Sequence, residues 1–247
     1  MLINFSDLRN LNVLAADGEF GQVHDLLFDD GDYAVRYIVV NTSDWLPGRD
    51  VLVPPQEFQE PVWDKSELPV SLTRDQIENS PEISEDEPLS RQKEEELHSY
   101  FGWQPYWVDR ITGEDYGPPI PAGDEMTGDR QADSVPQDPV PGDPDLLSAE
   151  SVVGYEIQAT DARIGRVDDF LLDDESWEIE YLVIDTGDEN ENKKTLLASE
   201  LIERISFDEY AVFVDLDQET IRKSPEYDPS NPINQGYEEA LQKHFGY

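Results

Sequence analysis

The chain has 247 residues, with 57 Asp and Glu against 17 Lys and Arg and a formal net charge of -40. A surface this acidic repels nucleic acid and anionic membranes, both of which are bound through Lys and Arg. Cysteine is absent, which excludes disulfides, thiol catalysis and Cys-based metal sites.

In chain order, the first predicted element is a short strand around Val13-Leu14-Ala15, leading to a turn at Asp17-Gly18. The segment Gly21–Phe28 begins in alternation and ends in an apolar run, and Asp29-Asp30-Gly31-Asp32 signals a turn. Tyr33–Val40 is rich in β-branched and aromatic residues and predicts a strand. Another short strand, Asp50–Val53, is stopped by Pro54-Pro55, and a hairpin is expected near Pro61–Trp63 and Pro69–Leu72. A short helix follows, capped by Thr73 or Asp75 and ended by Pro81. A second helix carries Leu89, Lys93, Leu97 and Phe101 four apart, as one stripe, with Gly102 placed to cap its C-terminus. From about Pro105 to Asp145 the chain is rich in Pro, Gly and Asp, including Pro118-Pro119-Ile120-Pro121, and reads as an extended linker.

Beyond that linker the pattern returns. Asp17 aligns with Asp161 at an offset of 144, and the same offset pairs Gly21 with Gly165, Tyr37 with Tyr181, Ser80-Pro81-Glu82 with Ser224-Pro225-Glu226 and Phe101-Gly102 with Phe245-Gly246. So long a constant register marks a tandem duplication of a barrel-plus-tail unit. The second hairpin, Arg204–Phe207 to Tyr210–Leu216, is clearer than the first. Asp217 replaces Thr73 as helix cap, and Ile233, Tyr237, Leu241 and Phe245 form the second stripe. Closely spaced short strands predict a mainly β fold with short helices: two small closed barrels, each followed by a helical tail. The expected domains are 1–103, a linker at 104–148, and 149–247.

The acidic residues are spread along the whole chain rather than clustered, which points to a halophile with a salty cytoplasm. At molar salt the Debye length is ~3 Å, so like charges hardly feel one another while carboxylates keep the surface hydrated. The rival reading is a cation-buffering protein, with weak cation binding by the acidic surface. The first residues carry no basic region and no long apolar run, so no secretory signal is expected. No apolar stretch approaches the ~20 residues of a membrane span. A cytoplasmic, soluble protein is expected.

No catalytic, cofactor or metal site is assembled from spacing. His24 aligns with Asp168 and His98 with Gln242, so the repeat gives no symmetric His site, and His244 stands alone. The turns Asp29–Asp32 and Asp173-Asp174-Glu175 are too short to supply the oxygen ligands of a Ca²⁺ loop and read as β-turns. Gly18, Gly21 and Gly165 lack the Gly-Lys-Ser/Thr of a phosphate loop, and no nucleophile elbow surrounds any Ser. The candidate interaction residues are the aromatics Trp103, Tyr106 and Trp107 and the two helical stripes, Leu97 and Phe101 in one and Tyr237, Leu241 and Phe245 in the other.

The sequence resembles the PRC-barrel family. The resemblance rests on Asp17–Gly21, Val23–Phe28, Tyr37–Val40 and Val51–Pro54 in the first copy, and on Asp161–Gly165, Val167–Leu172, Tyr181–Ile184 and Leu196–Ala198 in the second. It covers roughly 7–82 and 150–226. It implies a small β-barrel of the kind found in the H subunit of purple bacterial photosynthetic reaction centres and in a ribosome maturation factor. In those settings the barrel serves assembly rather than catalysis. The expected function is therefore a non-enzymatic tandem scaffold for protein–protein assembly, with protein partners or self-association. The alternatives are a peripheral subunit of a photosynthetic or electron-transfer membrane complex, and an enzyme or small-molecule binder with a site between the barrels.

Overall fold

The structure is a computed structural model and describes residues 1–42, 49–81, 89–107, 146–187, 193–231 and 233–246. The chain divides into two compact units, one of Met1–Asp86 with Asp145–Tyr247 and one of Glu87–Pro144. Most of the expected linker, and the Pro and Glu that follow Ser80-Pro81 and Asn231 in the repeat, lie outside the described residues.

The first unit holds both copies. Copy one runs β1 (Leu2–Asn4), α1 (Phe5–Leu8), β2 (Asn12–Ala15), β3 (Gly18–Asp29), β4 (Val35–Asn41), β5 (Asp50–Val53), β6 (Glu67–Pro69) and α2 (Arg74–Glu78). Thr73 caps α2 in a reciprocal box with Gln76. The second unit contributes α3 (Arg91–Phe101). Copy two repeats the order: β7 (Leu146–Ser148), α4 (Ala149–Val152), β8 (Glu156–Gln158), β9 (Arg163–Asp173), β10 (Ile179–Asp185), β11 (Lys194–Ala198), β12 (Ile202–Ser206), β13 (Ala211–Val214), α5 (Gln218–Arg222) and α6 (Gln235–Phe245).

Each copy forms one sheet, ordered β5-β4-β3-β2-β6 in the first and β11-β10-β9-β8-β13-β12 in the second. The mainly β expectation holds, but neither strand order returns on itself, so the sheets are not closed into barrels. In copy one, Pro54 and Pro55 follow β5 and carry no amide donors for further pairing. In both copies the chain leaves this edge through a 3-10 turn, Pro55–Glu57 or Ser199–Leu201.

The duplication extends to backbone strain. Non-glycine residues with positive φ fall at Tyr33 and Trp177, and again at Ser66 and Tyr210, each pair 144 apart. At Gly165, φ is +70 and an added Cβ would run into the carbonyl oxygen of Asp185; the equivalent Gly21 faces the Asn41 carbonyl. The Gly at this position is thus explained by the close approach of a neighbouring strand.

Candidate functional site

The two copies are joined by exchanged arms. The strand β3 is long enough to pair with β2 along its first half and with β7, from the other copy, along its second half: Leu27 faces Ser148, Phe28 faces Leu147 and Asp29 faces Leu146. Reciprocally, β9 pairs with β8 and then with β1, with Leu2 facing Asp173, Ile3 facing Leu172 and Asn4 facing Leu171. The β3–β4 and β9–β10 turns also meet, where the Val35 amide donates to the Trp177 carbonyl and the Ile179 amide to the Tyr33 carbonyl, both at 2.9 Å. The copies therefore share two extended sheets around a pseudo-twofold relation.

Apolar packing seals this join. Phe5, Phe28 and Phe170 are fully buried; the Phe5 and Phe170 ring centroids lie 6.4 Å apart, and those of Phe28 and Phe170 5.7 Å. Two buried carboxylates fasten it. Asp25 accepts hydrogen bonds from the Ser148 hydroxyl at 2.5 Å and the Glu150 amide at 2.8 Å. Asp169, its repeat equivalent, accepts from the Ser6 hydroxyl at 2.5 Å and the Ser6 amide at 3.1 Å. Each also accepts from the amide of the next residue. Burial is the largest influence on both carboxyls and pushes them above their ordinary value of 3.8, against the lowering effect of these donors.

Replacing Asp25 with alanine strands three donors and should cost about 2–3 kcal/mol, read as a lowered midpoint in chemical denaturation at high salt. The pH dependence follows from the raised values. Between the ordinary carboxylate pKa and the raised folded one, the folded state holds more protons than the unfolded. The contribution of these two groups to stability is thus greatest below that window and falls as pH rises through it. Asp25→Asn combined with Asp169→Asn should flatten this component, which melts of variant and wild type between about pH 4 and 7 would reveal.

The candidate residues from the sequence fall into two clusters. In the second unit, Leu97 and Trp103 are buried; Phe101 stacks on Trp103 at 4.2 Å, and His98 lies 5.8 Å from Trp103 and 4.8 Å from Trp107. Glu94, also fully buried, accepts from the Tyr106 hydroxyl at 2.9 Å and pairs with Arg91 at 2.6 Å, while Arg91 covers the Trp107 ring at 4.2 Å. Burial lowers the pKa of His98 and raises that of Tyr106. In the first unit, Leu241 is buried against Leu171, Tyr181, Val183, Leu196 and Ala198, flanked by the half-buried Tyr237 and Phe245. Gly102 and Gly246 cap α3 and α6 at φ 74 and 85. Leu97, Trp103 and Leu241 are thus buried, while Phe101, Tyr106, Trp107, Tyr237 and Phe245 are half-buried.

The acidic turns are engaged within the protein, and Asp173 and Asp174 also accept from the Met1 amine of the other copy. Asp29 accepts from the Gly31 amide, and Asp173 from the Glu175 and Ser176 amides. His24 lies 3.4 Å from Glu150, and the His244 ring contacts the Thr220 carbonyl at 2.8 Å.

Two features escaped the sequence reading. One is the arms, whose signal is the repeated apolar pair and cap, Leu2-Ile3-Asn4 and Leu146-Leu147-Ser148. The other is a pair of exposed aromatic tips, Trp63 and Phe207, again 144 apart.

The structure is a duplicated β unit whose buried carboxylates join the two copies. The PRC-barrel domain description matches residues 2–68 and 144–221, together more than half of the chain, and the protein belongs to the PRC-barrel family. No curated protein matches the sequence.

Proposed function

We propose that the chain is a non-enzymatic scaffold mediating protein–protein assembly in the cytoplasm of a halophilic prokaryote, each copy being one domain of the PRC-barrel family. The reciprocal exchange of arms carries this reading. The buried carboxylates Asp25, with Ser148, and Asp169, with Ser6, join the copies. Two joined modules offer paired binding faces, which raises avidity when a partner engages both. The family supports the same reading, because the barrel implies an interaction module. Among the described residues, no helix is long and apolar enough to cross a membrane.

Affinity purification from native extract at the native salt concentration, combined with light scattering, tests the proposal. A stoichiometric protein partner or a defined oligomer is expected. A monomer that recovers nothing would sink it, and recovery confined to the membrane fraction would favour the peripheral-subunit alternative.

A further inference from the structure

The hairpin tips of the two copies share a feature that core packing does not require. In copy one, Trp63 is 40 % exposed and is followed by Asp64, Lys65 and Ser66; in copy two, Phe207 is 46 % exposed and is followed by Asp208, Glu209 and Tyr210. The geometry repeats as well. The Ser66 amide donates to the Trp63 carbonyl at 3.2 Å and the Tyr210 amide to the Phe207 carbonyl at 3.3 Å. Ser66 and Tyr210 both sit in the left-handed region, at φ 56 and 49. A tyrosine held there and 67 % exposed is uncommon, because bulky residues avoid positive φ. Phe207 and Tyr210 flank Tyr155 with edge-on rings, their centroids 6.0 and 5.6 Å from it. Each tip thus presents an exposed ring beside an exposed carboxylate, Asp64 or Asp208.

We propose that these two aromatic–Asp tips are docking points for an arginine- or lysine-bearing segment of a partner protein. A ring face attracts a cation, and the adjacent carboxylate accepts its N–H donors. The charge of -40 favours a basic partner segment over an acidic one. The copy-two tip is the stronger one. It adds the exposed Tyr210 ring, and Arg204 is held by Glu209 at 2.9 Å, whereas copy one carries Lys65 beside Asp64. At molar salt the diffuse attraction of the whole surface is screened, and contact at the ring persists. The inference rests on the scaffold reading and names the chemistry of its partner.

The probe is a labelled arginine–glycine peptide, with a glutamate–glycine peptide as control, titrated by fluorescence anisotropy against the full chain in about 1 M KCl. Binding of the arginine peptide alone is expected, weakened ~10-fold by Phe207→Ser with Tyr210→Ser and less by Trp63→Ser. Phe207→Leu keeps apolar bulk without the π face and should weaken binding in the same direction. Unchanged melting temperatures confirm the fold of these surface variants. Equal affinity for wild type and all variants would overturn the assignment, as would self-association of the wild type that the variants lose. If the tip variants recover the partner from native extract as well as the wild type does, the tips are wrong and the scaffold stands. If the peptide needs the tips but the extract yields no partner, the tips stand and the scaffold falls.

Discussion

Phe170→Ala is expected to lower the unfolding free energy by about 3–5 kcal/mol, the largest loss from any single truncation at the join. The ring is fully buried and contacts Phe5 from the exchanged arm and Phe28 from the other copy's long strand. Its removal opens a cavity at the point where three segments meet, so collapse of any one wall is restrained by the other two. Chemical denaturation at high salt measures the effect. A second signature is specific to this site: protease should cut near α1 in the variant before it cuts near β4. A loss below about 1 kcal/mol would show that the join repacks freely.

Gly165→Val is expected to be comparably severe, at about 4 kcal/mol. Part of this comes from the left-handed backbone, which L-residues with a Cβ occupy at a cost of about 1–2 kcal/mol, more for a β-branched side chain. The rest comes from overpacking, because the added Cβ meets the Asp185 carbonyl and the side chain has nowhere to move. Gly21→Val tests the same close approach, against the Asn41 carbonyl, but without the positive φ. Comparing the two melting temperatures therefore separates the steric contribution from the conformational one, and Gly165→Val should show the larger drop.

Much of the fold was legible because it is encoded by short-range rules. The strands Val35–Asn41 and Ile179–Asp185 carry β-branched and aromatic residues, and Thr73, Asp217, Gly102 and Gly246 cap helices as their chemistry dictates. The apolar runs Leu26-Leu27-Phe28 and Phe170-Leu171-Leu172 announced burial on both faces of one strand. Which strand pairs along the far edge of these runs was not legible, since a three-residue strand such as Leu2–Asn4 has no period to read. Closure failed for a related reason: alternation predicts which face is buried, while pairing across the last edge depends on turn geometry and on proline. Among the candidate residues, spacing gave the stripes through Leu97 and Leu241 but could not separate packing from display. Glu94, a charged residue in α3, is buried with Arg91, three residues earlier on the same helix, and with the Tyr106 hydroxyl, which lies beyond the helix where helical spacing does not reach. The tips Trp63 and Phe207 stand at the repeat offset, but spacing alone does not say that they face water.

The exchanged arms have a consequence for how such a protein changes over time. Pairing of two separate chains would fall apart on dilution, and every substitution in one face would occur in both. With both partners on one polypeptide, pairing is insensitive to protein concentration, so the denaturation midpoint should not move across a wide dilution series. The symmetry is also released: residue 66 can stay serine while residue 210 becomes tyrosine, and residue 5 can be phenylalanine opposite alanine at 149. The joined copies keep the same skeleton, and each surface is free to acquire its own specificity.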